Sequence, residues 1–246
     1  MGTGNYHTTT ARVYTDLSML TNDSAITRDI QKIFRQLTGL GAASNLKKLV
    51  QAPFNLHSFL LEKISTETRN AKAGKSAHII ARMNSLVDAS VIDALYKASK
   101  AGVKVELIVR GICTLVPGID GLSDNIRVVS VLGRFLEHSR VFYFAADGEP
   151  EIYMSSADWM PRNLYSRVEI AVPIAKRLLP RIKKECLDYY LQDNCFSWEL
   201  NSDGTYRRLG KKEGKSEKVR EKGKKEWFSA QQTLIDKLSH IYGQSD

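Results

Sequence analysis

Two short apolar runs, Ala77 to Met83 (AHIIARM) and Val103 to Val109 (VKVELIV), constrain this chain more than any other feature in it. Between them Asp88 can cap a helix that carries Val91, Ile92, Leu95 and Tyr96 on one side, and Gly102 can close it. Strand, helix and strand in that order predict a βαβ unit, with parallel neighbours joined by a right-handed crossover. The second run is apolar enough to be buried on both faces, which requires helices above and below the sheet. Arg110 stands just past its carboxyl end, the edge at which open α/β sheets bind ligands.

The remaining segments extend this frame. Residues through about Tyr14 read as extended and loop-like. Asp23 or Ser24 can cap a helix with an apolar stripe of Ile26, Ile30, Phe34 and Leu37, stopped by Gly39. Asn55 can cap another, carrying Leu56, Phe59, Leu60 and Ile64 and ending near Gly74. Ile126 to Leu132, Arg140 to Phe144, Ile152 to Ser155 and Arg167 to Val172 read as strands, with a hairpin-type turn at Asp147-Gly148. A helix with Pro180 in its first turns runs to about Gln192, a short hairpin surrounds Asp203-Gly204, and Trp227 to Ile241 has moderate helical periodicity. The predicted fold class is α/β, a mixed sheet flanked by helices.

Charge carries less information than its total suggests. The net charge is +9, yet the stretch from Arg207 to Lys225 holds ten basic residues against Glu213, Glu217 and Glu221. Nearly all the excess therefore sits in one Lys/Glu/Gly-rich segment, which reads as a solvated tail and not as a shaped groove. No run approaches the roughly 18 apolar residues of a membrane span, and the first ten residues have neither a basic nor an apolar region that would mark a secretory signal. Cys113, Cys186 and Cys195 are widely spaced, against a disulfide framework or a paired-cysteine zinc site and in keeping with a reducing cytoplasm.

The chemistry concentrates between Gly133 and Asn163. His138 and Arg140 enter a strand two residues apart and so share a face. Ser155, Ser156 and Asp158 arrive one hairpin later. An imidazole beside a cation, faced by small hydroxyl residues, suits phosphate chemistry: the ring attacks phosphorus or protonates a leaving oxygen, and the cation offsets equatorial charge. This is the layout of a phospholipase-D-type half-site, altered in that Arg140 replaces lysine and Ala145 stands where an aspartate would follow. Gly2-Thr3-Gly4-Asn5 fits the downstream part of a second half-site, whose own histidine would precede Met1. No GxxxxGK[ST] and no strand-placed GxGxxG occurs, so side chains must hold the phosphate. Arg82, Asn84, Arg134, Arg140, Arg162 and Arg167 are the available groups, with Arg134 and Arg162 favoured as phosphate-binding because they flank the two motifs. His7, His57, His78 and His240 lack ligand spacing and read as structural or exposed.

Four blocks carry a closer resemblance: GTGNYHTTTARVYTDLSMLT, MNSLVDASVIDALYKASKAGV, LIVRGICTLVPGIDGLSDNIRVVSVLGRFLEHSR and MSSADWMPRN. In order and spacing, from about Gly2 to Leu209, they resemble the polyphosphate kinase family, which is similar in fold to phospholipase D. The resemblance implies the end of a first catalytic domain over residues 1–52, a second, phospholipase-D-like catalytic domain over 53–209, and a basic tail with a terminal helix over 210–246. It implies reversible transfer of the terminal phosphate of ATP to long-chain polyphosphate through a phosphohistidine that lies upstream of this chain. By the same resemblance Tyr14 is the adenine-site tyrosine, Arg110 binds the ATP phosphates, and His138 is both a nucleotide contact and a general acid. ATP/ADP and polyphosphate are the implied partners, with Mg²⁺ entering on ATP, no metal site in the chain and no specific nucleic acid. The full-length family is implied to be homo-oligomeric and cytoplasmic, with scope for membrane association. Two rival readings are a phospholipase-D-type phosphodiesterase and a non-catalytic fragment whose basic tail binds polyanions.

Overall fold

A computed structural model describes residues 1–41, 45–210 and 227–242. Among them are the strands β1 (Tyr14–Thr15), β2 (Val50–Ala52), β3 (His78–Met83), β4 (Lys104–Val109), β5 (Ile126–Val131), β6 (Leu136–Glu137), β7 (Arg140–Phe144), β8 (Glu151–Ser155), β9 (Glu169–Pro173), β10 (Ser197–Leu200) and β11 (Tyr206–Arg208). The helices are α1 (Thr8–Val13), α2 (Ser24–Leu37), α3 (Leu56–Lys72), α4 (Ala89–Lys100), α5 (Leu179–Lys183), α6 (Tyr189–Gln192) and α7 (Ala230–Tyr242). Nine strands form one sheet in the order β11-β10-β5-β4-β3-β7-β8-β9-β2, and β1 pairs with β6 beside it.

The predicted βαβ unit is present. β3, α4 and β4 follow one another, β3 and β4 pair in parallel, and Asp88 caps α4 by accepting the Val91 N–H. Alternation along the strands sorts side chains into two cores. Ile79, Ala81 and Met83 join Val105, Leu107 and Val109 under α3 and α4, where Leu56, Leu60, Ile64 and Leu95 are fully buried. Burying each such side chain stabilises the fold by about 1.5–3 kcal/mol. On the other face Ile80, Ile108, Val129 and Val141 pack with Ile26 and Ile33 of α2, Leu187 and Tyr190 of the α5–α6 segment, and Ala230 of α7.

Several expectations need correction. Residues 8–13 are helical, with the His7 ring accepting the Thr9 N–H as a cap; the β-branched run TTT-AR-V has little intrinsic helical preference to betray it. Phe34 and Leu37 are exposed, and the stripe α2 buries is Ile26, Asp29 and Ile33. A carboxylate belongs on that face because one oxygen of Asp29 accepts the N–H groups of Lys47, Lys48 and Leu49, tying α2 to the approach to β2. Asn55 occupies the N-cap of α3, but its side chain accepts the Gln51 N–H instead of a helix N–H. Most of the Lys/Glu/Gly-rich stretch, residues 211–226, lies outside the described residues.

Sheet order places the chemistry. β3, β4 and β5 run parallel, while β7 runs antiparallel to β3. The connection from β5 to β7 must therefore cross the carboxyl ends of β4 and β3. Residues 132–139 make that crossing, and His138 lies on it.

Candidate active site

The imidazole of His138 is held from several directions. Its Nδ1 donates to Asp16 Oδ1 at 3.0 Å, and the same oxygen accepts the Thr3 hydroxyl at 2.7 Å. The ring of Tyr14 lies against it, with centroids 5.1 Å apart and planes inclined at 50°. The backbone of the two segments is joined too, since β1 and β6 pair Tyr14 with Leu136 and the His138 N–H donates to the Thr15 carbonyl at 3.2 Å. Residues from the opening of the chain and from the crossing segment thus build one cluster.

Arg140 is buried within that cluster. Its guanidinium grips Asp158 with two hydrogen bonds, Nε to Oδ1 at 3.2 Å and Nη2 to Oδ2 at 3.0 Å. Nη1 donates to the carbonyls of Thr3 at 3.2 Å and His138 at 2.7 Å, and it lies nearly equidistant from both ring nitrogens of His138. Asp158 also accepts the N–H groups of Asn84 and Ser85. The sequence offered Arg140 as a phosphate cation; enclosed by protein acceptors, it instead fixes the His138 peptide. Arg82 is likewise withdrawn from the candidates. It is buried, paired with the equally buried Glu137, and stacked 3.7 Å over the ring of Tyr190. Burial pushes the Tyr190 hydroxyl up to about 12 despite the neighbouring cation.

Arg110 differs. Its backbone is pinned between the Met83 carbonyl and the Ser130 hydroxyl, and its Nε donates to Asn84 Oδ1 at 2.8 Å. The terminal nitrogens of this half-buried guanidinium make no bond to another described residue. Asn84 Nδ2 in turn reaches the His138 carbonyl at 3.4 Å. One amide therefore links the end of β4 to the crossing segment. A cavity of about 390 Å³ is lined by Tyr14 and Asp16 together with Arg82, Tyr190, Gln231 and Leu234, and not by Arg110, Asn84 or His138.

Two family models match the chain, "Polyphosphate kinase C-terminal domain 1" over residues 1–43 and "Polyphosphate kinase C-terminal domain 2" over residues 49–221. The chain belongs to the polyphosphate kinase family. The polyphosphate kinase of Pseudomonas putida is 53% identical over 241 residues, 98% of this chain, and that of Burkholderia multivorans 56% identical over 209 residues, 85% of this chain. The match covers 32% and 30% of those relatives, so the chain spans about a third of their length. The crystal structure of polyphosphate kinase from Porphyromonas gingivalis superposes on all of this chain and 36% of its own, with a TM-score of 0.87 at 35% identity.

Of the residues nominated in the sequence of this polyphosphate kinase family member, Tyr14, His138 and Arg110 gather at one sheet edge, the first two in ring contact and the third joined through Asn84. Arg134 and Arg162 are exposed and make no hydrogen bond or ion pair with that cluster among the described residues; Arg134 lies over the ring of Phe135 at 5.3 Å. His57 and His78 are structural, bonded to Ser90 and Glu106, and the His240 side chain lies outside the described set. Asp16 escaped notice because nothing local marks one aspartate 122 residues from its partner. Asn84 was one candidate among six, and only the sheet order raises it above the others. Among the described residues no three His, Cys, Asp or Glu side chains converge as a metal site, and no helix is long and apolar enough to cross a membrane.

Proposed function

We propose that this chain carries the triphosphate-binding half of a polyphosphate kinase active site, acting on Mg·ATP and polyphosphate. The observation that supports this reading is the Asn84 bridge: one side chain bonded to the Arg110 guanidinium and to the His138 peptide, on the edge where the Tyr14 ring meets the imidazole. A nucleotide entering there would lay its base by Tyr14 and its phosphates between Arg110 and His138.

The chemistry runs in two displacements. A histidine from outside residues 1–246 attacks the γ-phosphorus, the bond to the β–γ bridging oxygen breaks, and ADP leaves. The terminal oxygen of polyphosphate then attacks the phosphohistidine, lengthening the chain by one phosphate and freeing the imidazole. Within this chain, Asp16 accepts from Nδ1 and so orients the His138 ring, leaving Nε2 to exchange a proton with the bridging oxygen. Arg110 offsets charge on the equatorial oxygens. Mg²⁺ belongs to the substrate. Asp16 is engaged by Thr3 and His138, and Asp158 by Arg140 and two backbone N–H groups, so the nucleotide's own phosphates are left as its natural ligands.

The test is ATP-dependent polyphosphate synthesis by the full-length enzyme. His138→Ala is expected to lower kcat by about 10²–10⁴-fold, the usual share of a general acid, and Arg110→Ala by about 10²–10³-fold, as for a lost oxyanion donor. Synthesis at the wild-type rate in His138→Ala would remove the histidine from the mechanism. Turnover of a phosphodiester in place of ATP would favour a hydrolase.

A further inference from the structure

The crossing segment that carries His138 has little regular structure of its own. Its strand, β6, is two residues long, and among the described residues its one strand partner is β1. Upstream of β6, Phe135 has no strand beside it among the described residues. Its N–H and C=O are met by a side chain from the far end of the chain: Gln231 Oε1 accepts the Phe135 N–H at 2.9 Å and Nε2 donates to the Phe135 carbonyl at 2.8 Å. The amide thus stands in for the backbone of a missing strand. Nε2 also donates to Glu137 Oε1, whose other oxygen is held by Thr15 and Arg82. Glu137 immediately precedes His138, and both Glu137 and Gln231 are 4% exposed.

Two further observations show that the contact is built. A Cβ added to Gly133 would come within 2.6 Å of Gln231 Oε1, so the segment keeps room for this amide. α7 is itself docked: the Ala230 N–H donates to Asp193 Oδ2 at 2.8 Å, the Phe228 N–H to Asn194 Oδ1 at 2.9 Å, and Lys237 reaches Glu185 at 2.5 Å.

We infer that Gln231 is a positioning residue for His138, by which the C-terminal helix α7 sets where the imidazole stands at the phosphate site. This rests on the proposed role of His138, and the test separates the two. In the 246-residue chain, the His138 ring resonance is assigned by its loss in His138→Ala, and Mg·ATP affinity is measured by titration. Gln231→Met keeps the length of the side chain and removes its hydrogen bonds. It is expected to move the His138 resonance and to weaken Mg·ATP binding about tenfold, as befits the loss of three hydrogen bonds in a buried site. Gly133→Ala should reproduce both effects, yet add nothing in a Gln231→Ala background, because the collision has gone. Lys237→Ala, which loosens α7 at its other end, should leave the resonance in place. A folded Gln231→Met chain with the wild-type His138 resonance would overturn the inference. If Gln231→Met does not fold, an unmoved resonance in Gly133→Ala would do the same. If Gln231→Met moves the resonance while His138→Ala binds Mg·ATP at wild-type strength, the positioning stands and the nucleotide role of His138 falls.

Discussion

Arg140 shows how much a neighbour decides what a side chain is for. Its spacing from His138 announces a phosphate cation, yet at 7% exposure it is enclosed by Asp158, the Thr3 and His138 carbonyls and the imidazole itself. Removing it leaves the Asp158 carboxylate buried without its counter-charge. Arg140→Ala is therefore expected to lower unfolding free energy by about 3–5 kcal/mol, measured by urea denaturation. Arg140→Lys keeps the charge and loses the two-pronged grip, so it should fall between. At this scale the sequence is legible where partners are close along the chain. His138, Arg140 and Asp158 lie on or just outside one hairpin and are read together. Asp16 and Gln231 were not, because no local pattern distinguishes an aspartate or a glutamine that meets its partner only after the chain has folded back.

Elements declare themselves in proportion to their length and periodicity. β3, α4, β4 and the β7–β8 hairpin were legible because alternation, caps and turn residues agree. The three-residue β2, the two-residue β6 and the short α1 carry too few residues for a period to register. The parallel pairing of β3 with β4 was legible, but the register between them was hidden, and it offers a measurable case. Glu106 on β4 accepts from His78 at 2.9 Å and from Lys104 at 2.8 Å. Burial alone would raise its carboxyl, but these two partners outweigh it and hold the carboxyl at about 2, against an ordinary 4.5. A depressed folded-state value contributes stability that is whole above pH 4.5 and disappears as the pH falls towards 2. Glu106→Gln should thus be less stable than wild type by about 1–2 kcal/mol near neutrality. The gap should close on acidification, read from denaturant midpoints at stepped pH.

For the molecule as a whole, the decisive arrangement is the seating of the first nineteen residues on the segment that carries His138 and Arg140. Residues 1–3 pair with 17–19, Thr3 bonds Asp16, and Arg140 holds the Thr3 carbonyl. Gly4 fits only because it has no side chain: a Cβ there would lie 1.8 Å from an oxygen of Asp16. Gly4→Ala should leave the sheet intact by circular dichroism but break the Asp16–His138 contact, with Mg·ATP binding weakened about tenfold or more, the scale of a lost charge-assisted hydrogen bond. The GTGN motif hinted at this junction, but what it joins could be learned only from the order of strands. That same order has a practical corollary at the opposite rim. Gly74, Gly102 and the Asp147-Gly148 turn all lie where β3 and β4 begin and β7 ends, and an exposed Lys75–Asp147 pair marks the place. A reporter peptide or affinity handle spliced into that turn would be separated from the His138 cluster by the full height of the sheet, which makes it the natural tethering point for single-molecule or surface-capture work.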